Sequence, residues 1–268
     1  MIKKINWLVI LVLMLSASCQ PAPTVTPIPP TPTLASEFRG RFVVIKPSAQ
    51  DETDRIWSTL KNMAFYDQFG YNLVFPKDSD MQVLVQKARD KKLTYQDYDA
   101  LSKLMTEKWF NSSNYERGYS KTIDSLPTVE QVLPRFQDYN AKWGFKLFPT
   151  YKIRLTLYGV GGSYNPQVGE IIVLTTQDGN FPRGPNPTDT IVHESVHLGI
   201  EGPVIAQYAI EQRTKERIVD RFIYDNFRHL FPGYVLNSTM DTSVDKYLQG
   251  SDAYDNLPDR IRQFKEGK

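Results

Sequence analysis

Apolar residues along this chain change their spacing near residue 150. Before it the pattern is mostly helical. The run Arg41-Phe42-Val43-Val44-Ile45 predicts a short strand ended by Pro47, and 54–69 carries Trp57, Leu60 and Met63 at helical spacing. Helices are then predicted over 79–90, over 94–110 with Thr94 as N-cap, over 115–125, and over 127–140 with Pro127 near its start. Stripes such as Met81 and Leu84, or Tyr98, Leu101, Leu104 and Trp109, read as the core-facing sides of these helices. After 150 the period falls to two. Residues 152–158 alternate as a strand should, 159–166 are turn-rich, and 170–176 are apolar and β-prone, which predicts a β-hairpin or an adjacent strand pair. Gly159, Gly161 and Gly162 are not a phosphate loop, since no Lys-Ser/Thr follows and no helix opens there; they read as a flexible rim.

A Gly/Pro/Asn loop over 177–187 leads to a helix starting near Thr188, with Asp189 in its first turn and Gly199, Gly202 and Pro203 at its end. Pro203 opens a helical stretch through Tyr208, and Thr214 reads as the N-cap of a long helix running to about Leu230. The polar remainder, 237–268, has Tyr247, Leu248, Tyr254 and Phe264 as anchors for short helices. The helix from Thr188 carries His193, Glu194 and His197, and two of the chain's three histidines fall here. Residues four apart share a helix face, about 6 Å apart along the axis, so both imidazoles can grip one ion. Glu194 leaves the helix at a different angle and is better placed to act on water than to join the ligands. A zinc ion with an open position acidifies water to a pKa of roughly 7, and a neighbouring Glu is then a general base. This is the H-E-x-x-H pattern.

On these residues the chain resembles the zincin metallopeptidases, and with Glu216-Arg217-Ile218-Val219-Asp220 following, eighteen residues standing between His197 and Glu216, it resembles their gluzincin branch. The likeness spans 187–231. It implies an α+β, zincin-like fold: a small β-sheet preceding the active-site helix, with a mostly helical N-terminal half. It further implies His193, His197 and Glu216 as zinc ligands, Glu194 as the catalytic base, and Asp220 as an acceptor orienting His193. The metzincin branch needs a Gly and a third His shortly after the second, where this chain has Ile200 and Pro203. Two nearer carboxylates compete for the third position. Glu201 on a continuing helix would sit about 12 Å along the axis from His193, too far for one ion unless Gly199 and Gly202 bend the chain, and Glu211 falls in the connection. In gluzincins a His or Tyr away from the metal stabilises the developing oxyanion; His229, Tyr224 and Tyr164 are the candidates, although His229 also suits a plain helix C-terminus. The chain is also similar to poorly characterised bacterial lipoproteins with an H-E-x-x-H core.

The N-terminus changes the setting of this chemistry. Residues 1–18 read as a signal peptide: Lys3 and Lys4, an apolar run from Ile5 to Leu15 shorter than the ~20 residues of a membrane span, then Ser16-Ala17-Ser18 before Cys19. This resembles a lipobox with Ser16 where Leu is usual, and it makes Cys19 the lipid-attachment site. Residues 19–36 hold six prolines among Thr and small residues, a polyproline tether that cannot build a core. With Cys19 as the only cysteine, the mature domain relies on its apolar core. The organisation predicted is therefore signal peptide, tether, a helical region over 37–150 and a catalytic region over 151–268. Net charge is +2 with no Lys/Arg cluster, so nothing favours nucleic acid. The expected function is zinc-dependent hydrolysis of peptides or proteins at the envelope, outside the cytoplasm, on a lipid-anchored protein. The alternative is an inactive zincin-like envelope protein that binds or assembles.

Overall fold

The structure is a computed structural model describing residues 38–182, 184, 186–250 and 252–267. The signal, Cys19 and the tether lie outside the described residues. Strand β1 (Phe42–Ile45) forms where the apolar run predicts it. Ser48 then opens helix α1 (Ala49–Lys61) through a capping box with Asp51. The helical stretch expected over 54–69 is two helices. Asn62 leaves helical geometry between α1 and α2 (Met63–Phe69), and Gly70, in the left-handed region, ends α2. Helix α3 (Ser79–Arg89) is capped by Asp78, and α4 (Tyr95–Leu104) by Thr94 as expected. The rest of the predicted 94–110 helix is a π-helical turn, Met105–Trp109.

The boundary expected near residue 126 lies further on. Helix α5 (Glu116–Val129) runs through Pro127, whose missing N–H costs one bond close to the helix end. A 3-10 turn (Glu130–Val132) follows, and Pro134, not Pro127, takes the opening position of α6 (Leu133–Trp143). Among the described residues, three more strands join β1 in one four-stranded sheet: β2 (Tyr151–Thr156), β3 (Gly162–Asn165) and β4 (Glu170–Leu174), in the order β1-β2-β4-β3. The predicted strands are adjacent and parallel, β2 with β4, whereas β3 pairs antiparallel with β4 and forms the edge. The later part of the glycine-rich rim, from Gly162, is therefore itself a strand. Glycine weakens strand propensity, so only the pairing with β4 discloses it.

The fold is α+β, and β1, from the helical half, pairs in parallel with β2. Buried Glu52 of α1 fastens the two halves: it accepts from Tyr115 Oη at 2.5 Å, Thr156 Oγ1 at 2.6 Å and the Leu157 backbone N–H at 2.9 Å. Burial pushes its carboxyl up, against the pull of those hydrogen bonds.

Helix α7 (Thr188–Ile200) sits at the centre, with every residue buried except Asp189, which is partly so. Gly199 does not end it. A Cβ there would stand 1.9 Å from Phe145 Cζ, so the glycine admits the Phe145 ring against the helix. Gly202 and Pro203 lie in a π-helical turn, Glu201–Ala206, that continues α7. Helix α8 (Gln212–Phe227) starts after Glu211, not at Thr214. Thr214 lies inside the helix and donates its hydroxyl to Asp241 at 2.7 Å, a long-range bond that takes the place of capping. The remainder holds a 3-10 turn (Thr242–Tyr247) and α9 (Leu257–Glu266). Among the described residues, no helix is long and apolar enough to cross a membrane.

Candidate metal centre

Helical spacing sets the first two donors. On α7, His193 and His197 are 3% and 2% exposed, and their Nε2 atoms stand 3.1 Å apart. Helix α8 brings Glu216 to both, its Oε2 lying 3.2 Å from His193 Nε2 and 3.4 Å from His197 Nε2. One ligand atom from each of the three falls within 4.8 Å of the others, so this buried group could hold a metal ion. Burial alone would raise the Glu216 carboxyl. The adjacent imidazoles of His197 and His193 outweigh it and hold the group well below the ordinary carboxylate range. Gln212, one turn earlier, donates to Glu216 Oε1 at 2.7 Å and leaves Oε2 facing the histidines. Glu201 and Glu211 stand outside the cluster: Glu201 accepts from Tyr164, and Glu211 is exposed at the start of α8.

Asp220 stands behind His193, as the resemblance implies, with Oδ1 3.6 Å from Nδ1. A residue that the sequence did not disclose mediates the contact. Tyr234 Oη lies 3.2 Å from His193 Nδ1 and donates to Asp220 Oδ1 at 2.7 Å, while Asp220 Oδ2 accepts the Asn237 backbone N–H at 3.1 Å. Since the tyrosine proton goes to Asp220, its oxygen accepts from His193 Nδ1–H, which leaves the Nε2 lone pair facing the cluster. Residues 231–234, Phe-Pro-Gly-Tyr, form the turn that returns Tyr234 to the centre, and only that turn composition hints at it.

The cluster opens on a cavity of about 620 Å³. Polar His193, Glu194, His197, Gln212, Lys215 and Glu216 line it together with Phe65, Tyr71, Val74, Phe181 and Pro182. Gly161 to Tyr164, around edge strand β3, form its margin. Glu194 lies against that strand. A Cβ on Gly162 would come 2.3 Å from Glu194 Oε1, so glycine there is what lets the carboxylate rest on the strand backbone. Of the oxyanion candidates, His229 is exposed and Tyr224 packs against Arg228, and neither lines the cavity. Tyr164 does line it, but its hydroxyl is bonded to Glu201 at 2.5 Å and Lys215 at 3.2 Å.

The chain matches no family model, no curated protein and no solved structure. One further hydroxyl faces the cluster: Tyr71, which follows α2, accepts from Gln212 Nε2 at 3.0 Å, and burial together with nearby Glu216 pushes it up to about 12. It stays protonated at neutral pH. Sequence reading missed Tyr71 because it lies far along the chain from the histidines, in the helical half.

Substitution separates the roles. Glu216→Ala should remove most of the metal affinity, and Asp220→Ala or Tyr234→Phe should lower it about 10 to 100-fold, the usual effect of losing a ligand's supporting partner. Glu211→Ala should leave it unchanged. Competition with a chromophoric chelator measures all four, and retention of wild-type affinity by Glu216→Ala would remove that residue from the ligand set.

Proposed function

We propose that this chain is a zinc-dependent peptidase with a gluzincin-type ligand set: His193, His197 and Glu216 bind the metal and Glu194 is the general base. The observation that carries the metal is the triangle of donor atoms, with sides of 3.1, 3.2 and 3.4 Å. Bonds of about 2.0–2.1 Å arranged tetrahedrally place neighbouring ligand atoms about 3.3 Å apart. Two neutral imidazoles and one carboxylate are also the donor chemistry that zinc prefers in sites of this type. When bound, zinc supplies Lewis acidity, acidifying water and polarising a substrate carbonyl.

The chain's own residues supply the rest. Glu194 lines the cavity without belonging to the donor group, so its carboxylate can take a proton from water there and later return it to the departing amine. Among the described residues, strand β3 is an edge strand, paired on one side only, and it borders the cavity. An extended peptide can add to such an edge through backbone hydrogen bonds, which favours a peptide over a small ester or sugar. Tyr71 presents a protonated hydroxyl to the same space. Phe65, Tyr71 and Val74 in the lining give an adjoining side chain a dry surface.

Glu194→Gln decides between a peptidase and an inactive binding protein built on the same residues. Full-length protein should hold about one zinc per chain, and the variant should keep the metal while peptide-library cleavage falls by about 10²–10⁴-fold, the usual contribution of a general base. Wild-type protein that binds zinc and cleaves nothing supports the binding protein; wild-type protein that takes up no zinc contradicts both.

The N-terminal pattern makes this an envelope enzyme tethered outside the cytoplasmic membrane by acyl chains on Cys19. Cys19→Ser should move the protein from the membrane fraction to the soluble one. Mass spectrometry of the mature N-terminus reads the modification directly, and an unacylated terminus would replace the anchor with ordinary secretion.

A further inference from the structure

The two histidines of the cluster are supported differently. A metal-ligating imidazole ordinarily donates its second N–H to an acceptor that fixes the ring plane and tautomer. His193 has this in Tyr234 and Asp220. Among the described residues, His197 Nδ1 is buried with no hydrogen-bond partner. Its ring instead lies flat on that of Tyr164, with centroids 4.8 Å apart and planes 6° from parallel. We infer that Tyr164 is the positioning residue for His197, acting by ring stacking, and that Glu201 and Lys215 clamp it in place. The inference rests on the metal centre proposed above.

The clamp is drawn from each element that meets at the centre. Tyr164 stands on β3, Glu201 directly follows α7, and Lys215 directly precedes Glu216 on α8. The phenol donates to Glu201 Oε2 at 2.5 Å and accepts from Lys215 Nζ at 3.2 Å. Rotation of the His197 imidazole about its Cβ–Cγ bond would drive a ring edge into the fixed tyrosine face. Stacking therefore does for the second ligand what a hydrogen bond does for the first. It also gives Glu201 a role. Although Glu201 is one turn beyond His197, its carboxylate serves the tyrosine rather than the metal. Because Tyr164 belongs to the edge strand, the same ring joins the strand proposed to carry the peptide to the metal ligand.

The test measures zinc affinity of the full chain by chelator competition, together with the visible spectrum of the Co²⁺-substituted protein, which reports ligand geometry without turnover. Tyr164→Leu removes the stack and should lower zinc affinity by about tenfold or more, within the range for supporting partners, and alter the Co²⁺ bands. Tyr164→Phe keeps the ring but frees it from the clamp, so affinity should fall about two- to tenfold, the scale of one hydrogen bond. Glu201→Ala should lower affinity by no more than Tyr164→Phe, and the double variant should lose no more than Tyr164→Phe alone, because phenylalanine already removes the contact with Glu201. The Phe and Ala variants carry the test if the leucine variant does not fold. Wild-type affinity and spectra in Tyr164→Phe and Glu201→Ala, or additive losses in the double variant, overturn the inference and leave the metal centre standing. Loss of turnover in Tyr164→Phe with unchanged zinc affinity also overturns it, since that result makes the hydroxyl a catalytic group. Failure of the wild-type chain to bind zinc removes the metal centre and this inference together.

Discussion

The burial of α7 is the constraint on which the rest of the structure depends. Almost every residue of the helix is enclosed, yet its sequence includes two histidines, a glutamate and a serine. A buried polar group without a partner is costly, so the surrounding elements must each bring one. Ser195 is satisfied within the helix, donating to the Ile191 carbonyl at 2.7 Å. The others require distant segments. Helix α8 supplies Glu216 and Asp220, the 231–234 turn supplies Tyr234, and β3 supplies the Tyr164 ring and a glycine that makes room for Glu194.

This division of labour explains why the helical half is not a separate appendage. It contributes an edge strand to the sheet, the buried Glu52 that ties α1 to the end of β2, and Tyr71, which is linked through Gln212 to Glu216. The cavity's charged and histidine lining comes from α7 and α8, and Phe65, Tyr66, Tyr71 and Val74 come from the helical half. A cleft assembled in this way exists only when both halves are folded against each other.

Much of the centre was legible because helix geometry converts sequence spacing directly into spatial proximity. His193 and His197 needed only the period of 3.6, whereas Glu216 and Asp220 needed a resemblance, since periodicity cannot say how two helices dock. Tyr234, Tyr71 and the Tyr164–His197 stack were not legible, because each depends on a loop or strand returning from elsewhere. Strand β3 was hidden by the glycines before and at its start, of which Gly162 makes room for the Glu194 carboxylate. Thr214 looked like a cap by residue type, but a long-range bond to Asp241 claimed its hydroxyl. Local signals predicted the helix start well at Thr94, where the partner lies three residues away, missed the cap at Ser48, and failed where the partner was remote.

Zinc K-edge X-ray absorption on the metal-loaded chain, compared with Glu216→Ala, tests the central claim most directly. The account predicts two imidazole nitrogens and a carboxylate oxygen at about 2.0–2.1 Å in the wild type, with the carboxylate contribution replaced by water in the variant. A spectrum without imidazole scattering, or one unchanged by the substitution, would contradict it.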